Sequence, residues 1–200
     1  MPNIKNSPGL TARTNAITIL NQVLSSRHGL EEVIAASKPY NAMERRDRAF
    51  VRLLVASTFR RLGQIDVLLR TYLKRPLPQK ARAVRDILRV GVAQIILLET
   101  PAHAVVDTSV TLCEQTRNPG QKGLVNAVLR RISKEGAKKF SELDAALLNT
   151  PKWLWDSWQK AYGNETCRLI AEAHLQEPPL VLTVKSDPVE MAKKLAAELL

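Results

Sequence analysis

The side chains in this sequence with the most obvious chemistry are arginines. Residues 45–89 carry 13 Lys and Arg against only Asp47, Asp66 and Asp86, and eleven of the 13 are Arg. That stretch holds +10 of a formal net charge of +11. Arginine offers a planar fork suited to phosphate and to base edges, where lysine gives a point charge. A local excess of this size matches a polyphosphate, because each neutralised phosphate releases counterions. RNA, DNA and an acidic protein surface all meet that description. A solvated helix face with Arg stems lying over their neighbours meets it with no partner at all.

Other chemistry is sparse. The eight glycines form neither GxGxxG nor a P-loop. Gly120-Gln121-Lys122-Gly123 precedes a helix and either cradles one phosphate or serves as a plain helix start. His28, His103 and His174 lack Cys or carboxylate neighbours at ligand spacing, so no metal is expected. Cys113 and Cys167 make neither a disulfide framework nor a zinc motif, which points to a reduced, cytoplasmic setting. Both are expected as core residues. Asp107 and Glu114 share one side of a helix without the partner an acid/base pair requires. No catalytic residue is expected, and the chemistry alone reads as a binding module. The longest apolar run, residues 90–98, falls far short of the ~20 that span a bilayer. Residues 1–9 contain no apolar signal segment, so no membrane association is expected. A content of 45% hydrophobic and 24% charged residues excludes wholesale disorder, and 4% aromatics argues against an aromatic-rich β-sandwich.

The elements that must position these residues are helical up to about residue 176. Ile17, Leu20 and Leu24 mark a first helix over 10–26, which His28-Gly29 ends with the glycine in the left-handed conformation. A helical turn over 30–37 is closed by Lys38-Pro39. A helix over 43–61 follows, with Phe50, Leu53 and Leu54 turned inward, and Gly63 breaks it. Ile65, Leu68, Leu69 and Tyr72 mark the next, ended by Pro76 and Pro78. Residues 80–98 form the most buried helix. Thr100-Pro101, Thr150-Pro151 and Asp187-Pro188 read as helix starts, each a capping residue before a proline. Helices at 101–116 and 121–135 are joined by Asn118-Pro119-Gly120, and a shorter one lies near 141–149. After residue 150 the charge drops to −1, and Trp153, Trp155 and Trp158 crowd six positions. They serve as stacking platforms for bases or, the reading preferred here, as core or interdomain packing. Residues 180–184 (LVLTV) read as a strand, followed by a helix over 189–200.

At 47–69 (DRAFVRLLVASTFRRLGQIDVLL) and 103–132 (HAVVDTSVTLCEQTRNPGQKGLVNAVLRRI) the sequence resembles the N-terminal, NusB-like RNA-binding domain of the Sun/Fmu bacterial 16S rRNA cytosine-5 methyltransferases. The run 123–131 (GLVNAVLRR) is similar to that domain's most specific piece. Residues 151–163, with Trp153, Trp158 and Gly163, are similar to the family's linker into the catalytic part. Glu177-Pro178-Pro179-Leu180 resembles the start of its first small subdomain, although Thr183-Val184-Lys185 replaces the usual Arg-Val-Asn. The resemblance implies an all-α NusB-like helical bundle over 1–145. It further implies a Trp-rich helical linker over 146–177 and the first β-α unit of a truncated α/β domain over 178–200. It implies a module that holds a 16S rRNA stem-loop for an S-adenosylmethionine-dependent domain whose cofactor motif and paired cysteines are missing. No cofactor is expected in this chain and no activity from it alone. The alternative is a free-standing NusB-like transcription antitermination or rRNA-processing factor binding RNA and a partner protein. The oligomeric state, monomer or weak dimer, stays open.

The expected RNA-binding residues follow from charge and resemblance together. Arg45, Arg48 and Arg52 form one helical stripe, joined by Arg46. Arg60 and Arg61 end that helix, where cations offset the negative dipole end. Arg13 lies on the first helix. Lys122, Asn126, Arg130 and Arg131 lie on the helix after Gly120, with Asn126 either an RNA contact or a buried amide satisfying a loop carbonyl.

Overall fold

The computed structural model describes residues 8–26, 28–178, 181, 183–185 and 187–195. Periodic apolar residues build α1 (Pro8–Ser25), α2 (Leu30–Ala36), α3 (Lys38–Asn41), α4 (Arg45–Arg60), α5 (Leu62–Tyr72), α6 (Arg82–Val92), α7 (Ala102–Glu114) and α8 (Lys122–Ser141). The short α9 (Ala145–Asn149), then α10 (Lys152–Ala173) and α11 (Pro188–Leu195) follow. The expected central helix is α6. Val84, Ile87, Leu88, Val90 and Val92 are all buried, and α1, α4, α5, α7 and α8 pack around it. A single core joins these helices, with Leu20, Leu54, Ile65, Leu68, Leu129 and Ile132 among its fully buried side chains.

Several local expectations are corrected by tertiary contacts. Gly29 is extended (φ −71°, ψ 163°) and precedes α2, so no left-handed residue ends α1 there. The break between α4 and α5 falls at Arg61 (φ −120°, ψ 20°), not at Gly63. Gly63 lies inside α5, where a Cβ would sit 1.7 Å from the Leu148 carbonyl oxygen. Its role is to let the backbone of α9 approach α5. The amide pair beside it completes that junction: Gln64 N–H donates to Asn149 Oδ1 (3.1 Å), and Asn149 Nδ2 donates to Gln64 Oε1 (2.9 Å). The inward face of α4 is Val51, Leu54, Val55 and Thr58; Leu53 is 40% exposed. The helix expected over 80–98 is continuous to Leu97 but changes type along its length. A 3₁₀ turn (Gln79–Ala81) precedes α6, and a π turn (Ala93–Leu97) follows it.

The capping expectations divide. Asp187 caps α11 by accepting from the Val189 N–H at 2.8 Å. Thr100 and Thr150 cap nothing by side chain: α7 and α10 start one residue later, with Pro101 and Pro151 as the flanking residues. Thr150 Oγ1 instead donates back to the Ala146 carbonyl. In α10 the backbone turns sharply at Gly163 (φ 79°, ψ 173°), a conformation that favours glycine. None of the three tryptophans is core. Trp153 is 71% exposed, while Trp155 and Trp158 are half-buried between the two halves of α10. Arg168 lies over the Trp155 ring (5.8 Å), and His174 meets Trp158 edge-on (5.2 Å). The expected strand is not seen: Val181, Thr183 and Val184 carry no strand pairing, while Leu180 and Leu182 lie outside the described residues. The β-α unit is thus reduced to a helix, Pro188–Leu195.

Candidate nucleic-acid interface

The arginine-rich stretch divides once its partners are known. Arg89 is half-buried and held in a network: its guanidinium donates to both oxygens of Asp66 (2.7 Å each) and to Asp86 Oδ1 (2.9 Å). Asp86 is fully buried and also accepts from Asn21 Nδ2 at 2.8 Å, so the network ties α1, α5 and α6 together. Burial opposes the charge on Arg89, but hydrogen bonds and charge from Asp66 and Asp86 hold its pKa above the ordinary value. Arg85 donates to the Leu77 carbonyl (2.7 Å). Among the stretch's arginines, these two serve the fold.

The α4 arginines and Arg13 are partly engaged as well. Arg52 forms a two-pronged pair with Glu31 (3.0 and 2.5 Å), which raises its pKa. Arg48 donates to the Asn41 carbonyl (3.4 Å). Arg61 donates to Gln64 Oε1 (3.2 Å), and burial, then the charge of Arg60, lowers its pKa. Arg13 donates to Gln94 Oε1 (2.6 Å) and the Gly9 carbonyl (2.9 Å) and lies over the Phe50 ring (5.2 Å). Burial lowers its pKa. Among the described residues, Arg45, Arg46 and Arg60 have no acidic partner.

Helix α8 presents a different arrangement. The tight 3₁₀ turn Pro119–Gln121 sends α8 back antiparallel along α7, and Val125, Val128, Leu129 and Ile132 bury one face of α8. Four-residue spacing then aligns Lys122, Asn126, Arg130 and Lys134 on another face. They wall a groove of about 900 Å³ between α7 and α8, together with Arg131 and Ser133. The α7 wall brings His103 and Asp107, with Val106 and Val110 between the two helices. Lys122 pairs with Glu114 across the groove's end (2.8 Å), which raises its pKa. Arg131 stacks on Tyr72 (5.2 Å) and lies 3.7 Å from Glu135. Arg130 Nε donates to Asn126 Oδ1 (3.0 Å). Asn126 is thus half-exposed on the groove wall, not a buried amide serving a loop. Among the described residues, neither Arg130 nor Lys134 has an acidic partner.

The groove gathers four of the expected residues, Lys122, Asn126, Arg130 and Arg131. None of Arg13, Arg45, Arg46, Arg48, Arg52, Arg60 and Arg61 lines it. Lys134, His103 and Asp107 were not foreseen there. The four-residue spacing that joins Asn126 to Arg130 already extends to Lys134, so that member was accessible to sequence. Cys113 and Cys167 are both buried; Cys113 Sγ faces the Asn118 carbonyl (3.6 Å), and burial raises its pKa. No group of three or more His, Cys, Asp or Glu among the described residues could hold a metal. No described helix is long and apolar enough to cross a membrane.

The fold and the groove define a helical bundle with one cation-rich groove wall, a surface suited to a polyanion. A model of the NusB family matches residues 10–134, and the chain belongs to that family. It is also similar to proteins named ribosomal RNA small subunit methyltransferase B. That of Xanthomonas campestris pv. campestris is 31% identical over 192 residues, covering 95% of this chain and 43% of that protein. Those of Shigella boydii serotype 18 and of an Escherichia coli strain are 31% and 30% identical, each over 86% of this chain and 40% of the relative. The chain therefore spans about two fifths of the length of these relatives.

Proposed function

We propose that this chain is the RNA-holding region of a 16S rRNA cytosine-5 methyltransferase and presents a ribosomal RNA stem-loop for methyl transfer carried out elsewhere in a longer protein. The observation that carries this reading is the α8 wall of the groove. Its Arg130 and Lys134 are charged, exposed and, among the described residues, without acidic partners, and a half-exposed Asn126 lies between them and Lys122. Cations left unpaired beside a groove offer phosphates an uncompensated counter-charge. The similarity to the methyltransferases runs through α9 and α10 as well as the bundle, and this favours a methyltransferase region over a free-standing NusB-like factor.

Arg45, Arg46 and Arg60 add phosphate contacts outside the groove. Arg13, Arg48, Arg52 and Arg61 contribute field while serving local contacts. The division near residue 145 follows the same reading: the bundle holds RNA, and α9–α10 lead toward the rest of the protein. S-adenosylmethionine belongs to the longer enzyme in this reading; the described residues lack a strand leading into a glycine-rich turn that would cradle it.

The test is a titration against a small-subunit rRNA stem-loop and a scrambled stem-loop of equal length at several salt concentrations. Preference for the rRNA hairpin, with affinity falling steeply as salt rises, supports the reading. Loss of all binding at ~150 mM salt contradicts it.

A further inference from the structure

The two walls of the α7–α8 groove are chemically unlike. The α8 wall is cationic, whereas the α7 wall carries a carboxylate, Asp107. The Glu114–Lys122 pair (2.8 Å) joins the two helices at the groove's end. Farther along, Asp107 on α7 and Arg130 on α8 line the groove from opposite walls. Opposite charges in one groove would ordinarily close into an ion pair. Here they do not: Arg130 turns along its own helix to Asn126, and among the described residues Asp107 has no cationic partner. Between them lies open space of about 900 Å³, floored by Val106 and Val110.

A ligand that fills this gap must be anionic on the α8 side and a hydrogen-bond donor on the α7 side, with an apolar face between. A nucleotide has that polarity. Its phosphate meets Arg130 and Lys134, the base lies over the valines, and its edge reaches Asp107. An ionised carboxylate is an acceptor only, with two oxygens side by side. Of the four RNA bases, guanine alone presents two adjacent donors on its pairing edge, N1–H and the 2-amino group. Adenine, cytosine and uracil each set an acceptor beside their donor. Paired guanine has that edge occupied, so the nucleotide must be unpaired.

Resting on the RNA-holding reading above, we infer that Asp107 is a specificity-determining residue that selects an unpaired guanine nucleotide in the α7–α8 groove.

The experiment uses hairpins of one stem with an all-uridine loop, or with a single loop position replaced by guanosine, inosine or adenosine. Inosine keeps N1–H and lacks the 2-amino group. Wild type binds the guanosine loop about tenfold more tightly than the inosine and adenosine loops, as a bidentate base contact provides. Asp107→Asn, an exposed isosteric change whose folding is checked by circular dichroism, reduces these differences to less than about twofold while keeping affinity for the uridine loop. Discrimination that survives in Asp107→Asn overturns the inference. So does a uniform rise in affinity for every loop, the behaviour of a merely solvated acid. Equal binding of all loops by wild type overturns the inference and leaves the RNA-holding reading standing. Absence of binding to any loop overturns both.

Discussion

The segment 45–89 and helix α8 both look like polyanion sites when only charge is counted, yet their cations face different things. In the first, Arg85 and Arg89 turn inward to Leu77 and to Asp66 and Asp86, Arg61 is held by Gln64, and Arg52 is held by Glu31. In the second, Lys122, Arg131 and Lys139 have acids, while among the described residues Arg130 and Lys134, both on the groove wall, have none. The denser segment spends its best-held arginines on the fold; the sparser helix leaves two cations together on one groove wall. Charge density along a sequence therefore locates arginines, while the acids and carbonyls that tertiary packing brings to them decide which remain available to a partner.

The largest expected effect separates a structural arginine from a binding one. Arg89→Ala leaves Asp86 buried without its counter-charge and costs about 3–5 kcal/mol. Chemical denaturation measures it, and an unchanged midpoint would erase the distinction drawn between the two regions. The paired reversal Arg130→Glu/Lys134→Glu is the converse. Its RNA affinity drops more than about tenfold while unfolding free energy shifts by less than about 0.5 kcal/mol, since both sites are exposed. Arg52→Ala sharpens the comparison from the other side: an exposed ion pair with Glu31 is worth less than about 1 kcal/mol, and RNA affinity falls less than about threefold.

The smallest effect concerns the α9–α10 arm. Arg168 donates to both oxygens of Asp144 (3.1 and 2.8 Å), and that hydrogen bonding holds the Asp144 carboxyl below its ordinary value. A carboxyl pKa lowered by folding adds stability that is complete above the unfolded value of about 3.9 and is lost as pH falls through the lowered folded value. Wild type therefore exceeds Arg168→Gln in arm stability at pH 6, and the gap closes in strong acid. Trp155 emission follows it, because the Arg168 guanidinium lies over that ring.

Much of the fold was legible in the sequence because burial patterns are local. The i, i+3, i+7 spacing of Ile17, Leu20 and Leu24 falls within α1, although of the three only Leu20 is buried and Leu24 is exposed, and the apolar positions Val84, Ile87, Leu88 and Gly91 lie on α6 in the core. What escaped depends on distant partners. Gly63 reads as a helix breaker until Leu148 is brought against it, and Asp86, only one of three acids in the basic stretch by sequence, is joined by Asn21 and Arg89 inside the fold. The tryptophans read as core or interdomain packing because no basic residues interleave densely with them, yet Trp155 and Trp158 clasp a bent helix at the surface and Trp153 is exposed. In the groove, Lys122, Asn126, Arg130 and Arg131 could be named from one helix. Asp107 and His103 joined them only when α7 was laid antiparallel beside α8.

The central claim, that the α8 groove holds RNA more strongly than the arginine-dense segment does, is tested most directly by comparing two charge reversals against one rRNA stem-loop. Arg130→Glu/Lys134→Glu and Arg45→Glu/Arg46→Glu change the net charge equally, and both are confined to exposed side chains. The groove reversal is expected to weaken binding more than about tenfold and the α4 reversal less than about threefold, at the same salt. Equal losses, or a larger loss from the α4 pair, would contradict the claim.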